Sequence, residues 1–200
     1  MSTTNAFFYG TLCHPRILQR VIGNDGSHLN ICPAILLDYT RHHVAGADYP
    51  AIIPYTRTKE LVKVELSPEE RSVRGTLVTG LTPNDIRLLD IFEGSEYTRD
   101  PVQVHPLAPA SPPPAATAHA TQDFVPSTTD PLPPVNELAP AVEASAYVWC
   151  NPISELKPEL WDFESFVRDN AWKWVGEGSR ENGDYGKVDE ARWEGRPTAQ

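Results

Sequence analysis

The apolar positions of this 200-residue chain change period several times, and the changes mark out its elements. Ala6 to Tyr9 is a short apolar run that ends at Gly10, as a buried strand does. Further runs rich in β-branched and aromatic residues predict strands at Ala34 to Tyr39, His42 to Gly46, Lys63 to Glu65, Ser72 to Thr79, Tyr97 to Val104 and Ala144 to Cys150. Helical spacing predicts helices at His14 to Ile22, Pro83 to Phe92 and Leu160 to Trp174. The helix at Pro83 is the best marked. Thr82 is a capping residue, Pro83 suits the first turn, Asp85 completes a capping-box pattern and Gly94 supplies the stop.

Between residues 105 and 143 periodicity disappears and Pro, Ala, Ser and Thr take over. Proline removes main-chain donors, so the segment reads as a disordered insertion. It lies between two predicted strands, which suggests a hairpin whose turn has been stretched, since loop closure costs only the logarithm of loop length. The chain is thus one domain over residues 1–175, interrupted by 105–143, with a polar C-terminal tail at 176–200.

Charge narrows the partners. The formal net charge is −10, which argues against nucleic acid, and no basic amphipathic or long apolar stretch suggests a membrane. The N-terminal residues lack the basic start and apolar core of a secretion signal, so a cytoplasmic protein is expected. Cys13, Cys32 and Cys150 are too widely spaced to suggest a disulfide framework or a zinc site. Neither a metal nor an organic cofactor is called for.

Two local patterns carry chemistry. In Tyr9-Gly10-Thr11-Leu12 a strand ends in a turn whose N–H groups can face a ligand. In Leu89-Asp90-Ile91-Phe92-Glu93-Gly94 a carboxylate sits at the C-terminal edge of a helix, where the macrodipole raises its pKa. Glu96, in the same segment, is the competing acid. Tyr9 reads equally well as a core aromatic or a ligand-lining one. Tyr97 and Arg99 share a strand face; Arg99 fits a carboxylate clamp or a structural ion pair. Tyr49-Pro50 reads as a turn into a buried strand or as a cavity wall. Adjacent His42 and His43 point to opposite faces and do not form one site. Cys13 has only His14 nearby to activate it and is read as a bystander.

Together, Tyr9-Gly10-Thr11-Leu12, Gly75-Thr76-Leu77-Val78 and Leu89-Asp90-Ile91-Phe92-Glu93-Gly94 followed by Tyr97-Thr98-Arg99 resemble the γ-glutamylcyclotransferase-like superfamily. The branch they resemble most is the avirulence-induced-gene type, which includes γ-glutamylamine cyclotransferases. Trp161 to Phe166 is similar to a C-terminal extension of fungal members. The resemblance implies an α+β fold, a small mixed β-barrel with surrounding helices and a cavity at one end. It implies that Tyr9, Gly10, Thr11 and Leu12 bind the γ-glutamyl group, with Tyr49, Pro50, Tyr97 and Arg99 nearby, and that Glu93 is the general acid/base. The implied substrate is a small γ-glutamyl compound, whose α-amine attacks its own γ-carbonyl to release 5-oxoproline. The loop is Tyr-Gly-Thr-Leu, not the Tyr-Gly-Ser-Asn-Leu of the general branch, which favours γ-glutamyl amines over free γ-glutamyl amino acids and glutathione. Two other readings stand beside it: a tailoring enzyme acting on a non-glutamyl amide or lactone, and a non-catalytic stress-associated binding module. Oligomeric state is not indicated.

Overall fold

The computed structural model describes residues 3–113, 131–161 and 185–194. Eight strands form one mixed sheet: β1 (Thr4–Phe8), β2 (Asn30–Leu37), β3 (Tyr39–Val44), β4 (Pro50–Pro54), β5 (Ser72–Leu81), β6 (Tyr97–Pro106), β7 (Val142–Trp149) and β8 (Leu156–Leu160). Their order is β1-β5-β2-β6-β7-β4-β3-β8, and β7 also pairs with β1 in parallel through Ala6 and Ser145. That last pairing closes β1, β5, β2, β6 and β7 into a five-stranded barrel. Strands β4, β3 and β8 continue the sheet beyond it.

Alternation explains the two cores. Phe7 and Tyr9, Cys32, Ala34 and Leu36, Val73 and Leu77, Val102 and Val104, and Ala144, Ala146 and Val148 come from the five barrel strands and pack as one cluster. Every second residue along each strand faces the barrel interior. The intervening residues Ala6, Phe8, Tyr147 and Trp149 join the second core, beneath the helices. These are α1 (Pro15–Ile22), α2 (Tyr55–Leu61), α3 (Pro83–Glu93) and α4 (Gly186–Glu194). Helices α1, α3 and α4 cover the outer face of β1, with Ile17, Val21, Leu88, Leu89 and Val188 fully buried between the layers.

Most sequence-derived elements lie within a few residues of their expected places, and β6 and β7 form an antiparallel pair from Tyr97 with Trp149 to Val104 with Val142. Several expectations need correction. Lys63 to Glu65 is not a strand: it follows α2 as irregular chain, and Val64 is exposed with no apolar face to join. Leu160 closes β8 instead of opening a helix, because Leu156 and Leu160 pair with Val44 and His42 of β3. The rest of that expected helix, residues 162–174, lies outside the described residues.

The insertion is narrower than 105–143. Strand β6 runs on through Pro106, Ser111 exchanges main-chain hydrogen bonds with Ile31, and β7 begins at Val142. Residues 114–130 lie outside the described set. The C-terminal tail is also corrected in part. Residues 186–194 form α4, and Tyr185, Val188 and Ala191 are buried against the molecule. Their three-residue spacing puts them on one helix face. Among the described residues no helix is long and apolar enough to cross a membrane.

Candidate active site

Strand β1 delivers Tyr9 to the end of the barrel, and the chain then turns sharply. A 3-10 turn, Thr11–Cys13, is closed by hydrogen bonds from the Cys13 N–H to the Gly10 carbonyl and from the His14 N–H to the Thr11 carbonyl, each 3.0 Å. The amides of Thr11 and Leu12 come first in this turn and are not consumed by it. Gly10 is required here by packing: a Cβ would lie 2.8 Å from Cγ of Pro50. The loop and the Tyr49-Pro50 segment therefore touch, and together they wall a cavity of about 320 Å³.

Behind the loop stands Arg41, a residue the sequence reading did not single out. Its buried guanidinium donates to the carbonyls of Tyr9 (2.6 Å) and Arg74 (3.1 Å) through Nη1 and of Trp161 (3.2 Å) through Nε, and it stacks on the Trp161 ring. The only sequence signal for it was its place on a strand, which does not distinguish a pin from a surface charge. The Tyr9 hydroxyl donates to the Tyr147 carbonyl at 2.5 Å. Tyr9 is thus both core aromatic and cavity wall, its ring among the barrel residues and its edge at the cavity.

Glu93 arrives from the opposite side, at the last residue of α3. Thr82 and Asp85 form a reciprocal capping box at the start of that helix and Pro83 fills its first turn. Gly94 ends it, at φ +72° and ψ −160°, a conformation open to glycine. The abrupt stop leaves Glu93 facing the cavity, half-buried, with no hydrogen bond to its carboxylate among the described residues. Burial, with the charge of Glu96 as the second cause, pushes its pKa up to about 8. The sequence reading expected a rise from the helix end; the main cause is instead desolvation by the surrounding wall.

Tyrosines complete the enclosure. The Tyr97 hydroxyl donates to the Pro50 carbonyl (3.0 Å), Tyr49 to Glu96 Oε2 (3.2 Å) and Tyr147 to Asp90 Oδ1 (2.8 Å). Burial raises the pKa of Tyr9, Tyr97 and Tyr147, so all three keep their protons. Of the residues expected at the site, Tyr9, Gly10, Thr11, Leu12, Tyr49, Pro50, Glu93 and Tyr97 line this one cavity. Arg99 does not. It forms a two-pronged ion pair with Asp90 on α3 (2.9 and 3.4 Å) on the exposed side of the sheet.

Cys13 is confirmed as chemically quiet. Its thiol donates to the Phe8 carbonyl, and burial pushes its pKa up to about 11. His14 gives it no positive charge, because burial and then Arg16 bring the histidine down to about 4. His42 is fully buried and hydrogen-bonded to Lys157 O and Thr40 Oγ1, away from the cavity. Among the described residues no cluster of histidine, cysteine or acidic side chains could hold a metal ion.

Among the other residues that line the cavity, Tyr147 and Lys187 bring polar groups that the sequence reading did not single out. Tyr147 lies in the predicted strand, but nothing local marked it. Lys187, on α4, comes from the segment read as a loose tail.

Known proteins resemble this chain in sequence and in fold. Protein AIG2 C of Arabidopsis thaliana is 22% identical over 171 residues, covering 86% of this chain and 76% of that protein. AIG2-like protein D of the same plant is 30% identical over 100 residues, half of this chain and 55% of that protein. A solution structure from Arabidopsis thaliana superposes with a TM-score of 0.50 at 20% identity, covering 100% of this chain and 94% of that one, a likeness of fold. The family described as gamma-glutamyl cyclotransferase, AIG2-like, matches residues 6–173, which contain both the Tyr9–Leu12 loop and Glu93, and the chain belongs to that family.

Proposed function

We propose that the protein cleaves a γ-glutamyl amine or amide by intramolecular aminolysis, releasing 5-oxoproline, with Glu93 carrying the proton. The observation behind this reading is Glu93 itself. An unpartnered carboxylate with a pKa near 8, opposite a turn whose amides are unspent, is arranged for proton transfer at a polarised carbonyl.

The substrate's α-nitrogen arrives as an ammonium and gives a proton to the Glu93 carboxylate. The freed amine attacks the γ-carbonyl carbon, forming the ring C–N bond. Oxygen charge that develops in the tetrahedral intermediate accepts hydrogen bonds from the Gly10, Thr11 and Leu12 amides. As the bond to the leaving nitrogen breaks, Glu93 returns its proton to that nitrogen, and the extra proton that the attack leaves on the ring nitrogen passes back through the Glu93 carboxylate to the released amine. The products are 5-oxoproline and the amine as its ammonium ion, and the carboxylate is regenerated. A pKa near neutrality suits a group that must first take and then give the same proton. The tyrosine-rich wall contributes by holding the substrate folded, so that amine and carbonyl meet in a five-membered geometry.

The test is mass-spectrometric detection of 5-oxoproline from a panel of γ-glutamyl amines, γ-glutamyl amino acids and glutathione. Release by the wild type and not by Glu93→Gln supports the reading. Release that survives in Glu93→Gln removes Glu93 from the mechanism, and silence from the wild type on every donor rejects the cyclotransferase activity.

A further inference from the structure

The lining of the cavity is electrostatically lopsided. Its two acids, Glu93 and Glu96, sit within four residues of each other at the end of α3. A γ-glutamyl donor adds at least one more carboxylate, on its α-carbon, whichever amine it carries. Glu93 must be ionised to act as the base, and the substrate's own α-ammonium is the group that gives its proton away, so the substrate carboxylate beside Glu93 and Glu96 is unfavourable unless a cation of the protein answers it. Among the described residues that line the cavity, one cation is present: Lys187.

Lys187 is exposed, but the element that carries it is anchored. It lies in the first turn of α4, between the anchors that fix that helix. Tyr185, two residues before it, is buried, packs on Phe92 at 5.8 Å between ring centroids, and lies under the Arg20 guanidinium at 4.9 Å. Asp189, two residues after it, accepts both arms of Arg20 at 2.6 Å and one arm of Arg192 at 2.7 Å. Arg192 in turn donates to the carbonyls of Arg20 and Val21 at the end of α1. Arg20 and Arg192 share the one carboxylate of Asp189, while Lys187 has no ion-pair partner among the described residues. Phe92 is the neighbour of Glu93, so the aromatic contact that seats α4 also seats it over the catalytic end of α3.

We propose that Lys187 is a specificity-determining residue that binds a substrate carboxylate at the mouth of the cavity. The inference rests on the γ-glutamyl reading above. Lysine suits the task as a compact charge on a flexible stem, able to meet a carboxylate without dictating its orientation. The contribution is to binding, present in ground and transition states alike, so it belongs in KM.

The experiment compares wild type, Lys187→Met and Lys187→Arg on γ-glutamyl amines, which carry one carboxylate, and on γ-glutamyl amino acids, which carry two. Lys187→Met is expected to raise KM roughly ten- to a hundredfold with little change in kcat, as loss of one charge-assisted hydrogen bond does, and Lys187→Arg is expected to restore most of it. An equal loss on both donor types assigns the contact to the α-carboxylate. A loss confined to γ-glutamyl amino acids assigns it to the carboxylate of the leaving group. Unchanged KM on both overturns the proposal. Calorimetric titration of a γ-glutamyl amine and of 5-oxoproline into Glu93→Gln, with and without Lys187→Met, separates this from failure of the cyclotransferase reading, since binding needs no turnover. Weaker binding in the double variant upholds the role of Lys187 even where no 5-oxoproline forms, and equal or absent binding in the two proteins overturns it.

Discussion

Helix α3 carries a carboxylate near each end, and the two have opposite fates. Asp85, in its first turn, is 1% exposed, yet its pKa is lowered. Burial raises it, but this is outweighed by hydrogen bonds from the Thr82 amide and hydroxyl (2.9 and 2.8 Å), His28 (2.9 Å) and Asn24 (3.2 Å). Glu93, in the last turn, is buried less completely and has its pKa raised to about 8. No described donor reaches it, and Glu96 adds a like charge. Burial alone therefore does not decide what a carboxylate is for. The supply of donors does. A satisfied acid holds a helix in place; an unsatisfied one at a cavity wall is available to a substrate.

The linkage signs are opposite too. Asp85 contributes stability that is present above its unfolded pKa near 4 and lost as pH falls through its lowered folded value. Glu93 is protonated more readily folded than unfolded. Its contribution is complete below about pH 4.5 and is lost as pH rises through about 8.

The sharpest way to break the comparison is Glu93→Gln. We expect kcat to fall by about 10²- to 10⁴-fold, measured as 5-oxoproline release. The same variant is expected to be more stable than wild type at pH 9, by on the order of 2 kcal/mol, and equal to it at pH 4, in urea titrations at both pH values. Asp85→Ala should do the converse. It leaves the Thr82 amide, His28 and Asn24 short of an acceptor, so a loss of about 2–3 kcal/mol is expected in the same titration, with kcat of the folded enzyme unchanged. Thr82→Ala removes one side of the capping box and is expected to cost about 1 kcal/mol. The mildest change is Glu96→Gln, which takes away the second cause of the Glu93 shift but not the first. In the proposed mechanism Glu93 starts ionised, so the rising limb of kcat/KM, expected near pH 8 in the wild type, should move acidward while the maximum rate is largely kept. A limb that stays in place would show that Glu96 does not act on Glu93.

How much of this was legible in the sequence follows from how local each cause is. Thr82, Pro83, Asp85 and Gly94 announce both ends of α3 within one short stretch, and Tyr9-Gly10-Thr11-Leu12 announces the loop. The two halves of the candidate site could be read because each is a short contiguous motif, and the structure brings both to one cavity. Strand β4, two isoleucines and an alanine between prolines, was legible only as the buried strand that Tyr49-Pro50 turns into, and β8 buries only Leu156, too little pattern to register. Helix α4 hides its buried face in a polar stretch, and Lys187 with it. The pin formed by Arg41 is a matter of three carbonyls distant in sequence, and no window along the chain contains them. Of the two readings of Arg99, a carboxylate clamp or a structural ion pair, the second holds: its partner Asp90 lies nine residues back in the same motif, and the strand face it shares with Tyr97 leads to solvent as well as to the cavity.

Closure of the barrel by Ala6 against Ser145 also has a consequence in time. Strand β1 is made first and β7 late, with the Pro-rich segment between them, so the N-terminal strand has to wait for a partner from the far part of the chain. Contacts of such sequence separation form slowly. The turn that follows β1 is held on one side by the Tyr147 carbonyl of that late strand, through the Tyr9 hydroxyl. During refolding, catalytic competence is therefore expected to return with the slowest phase, after most helical signal has recovered, and stopped-flow circular dichroism run beside an activity-recovery assay would resolve the two.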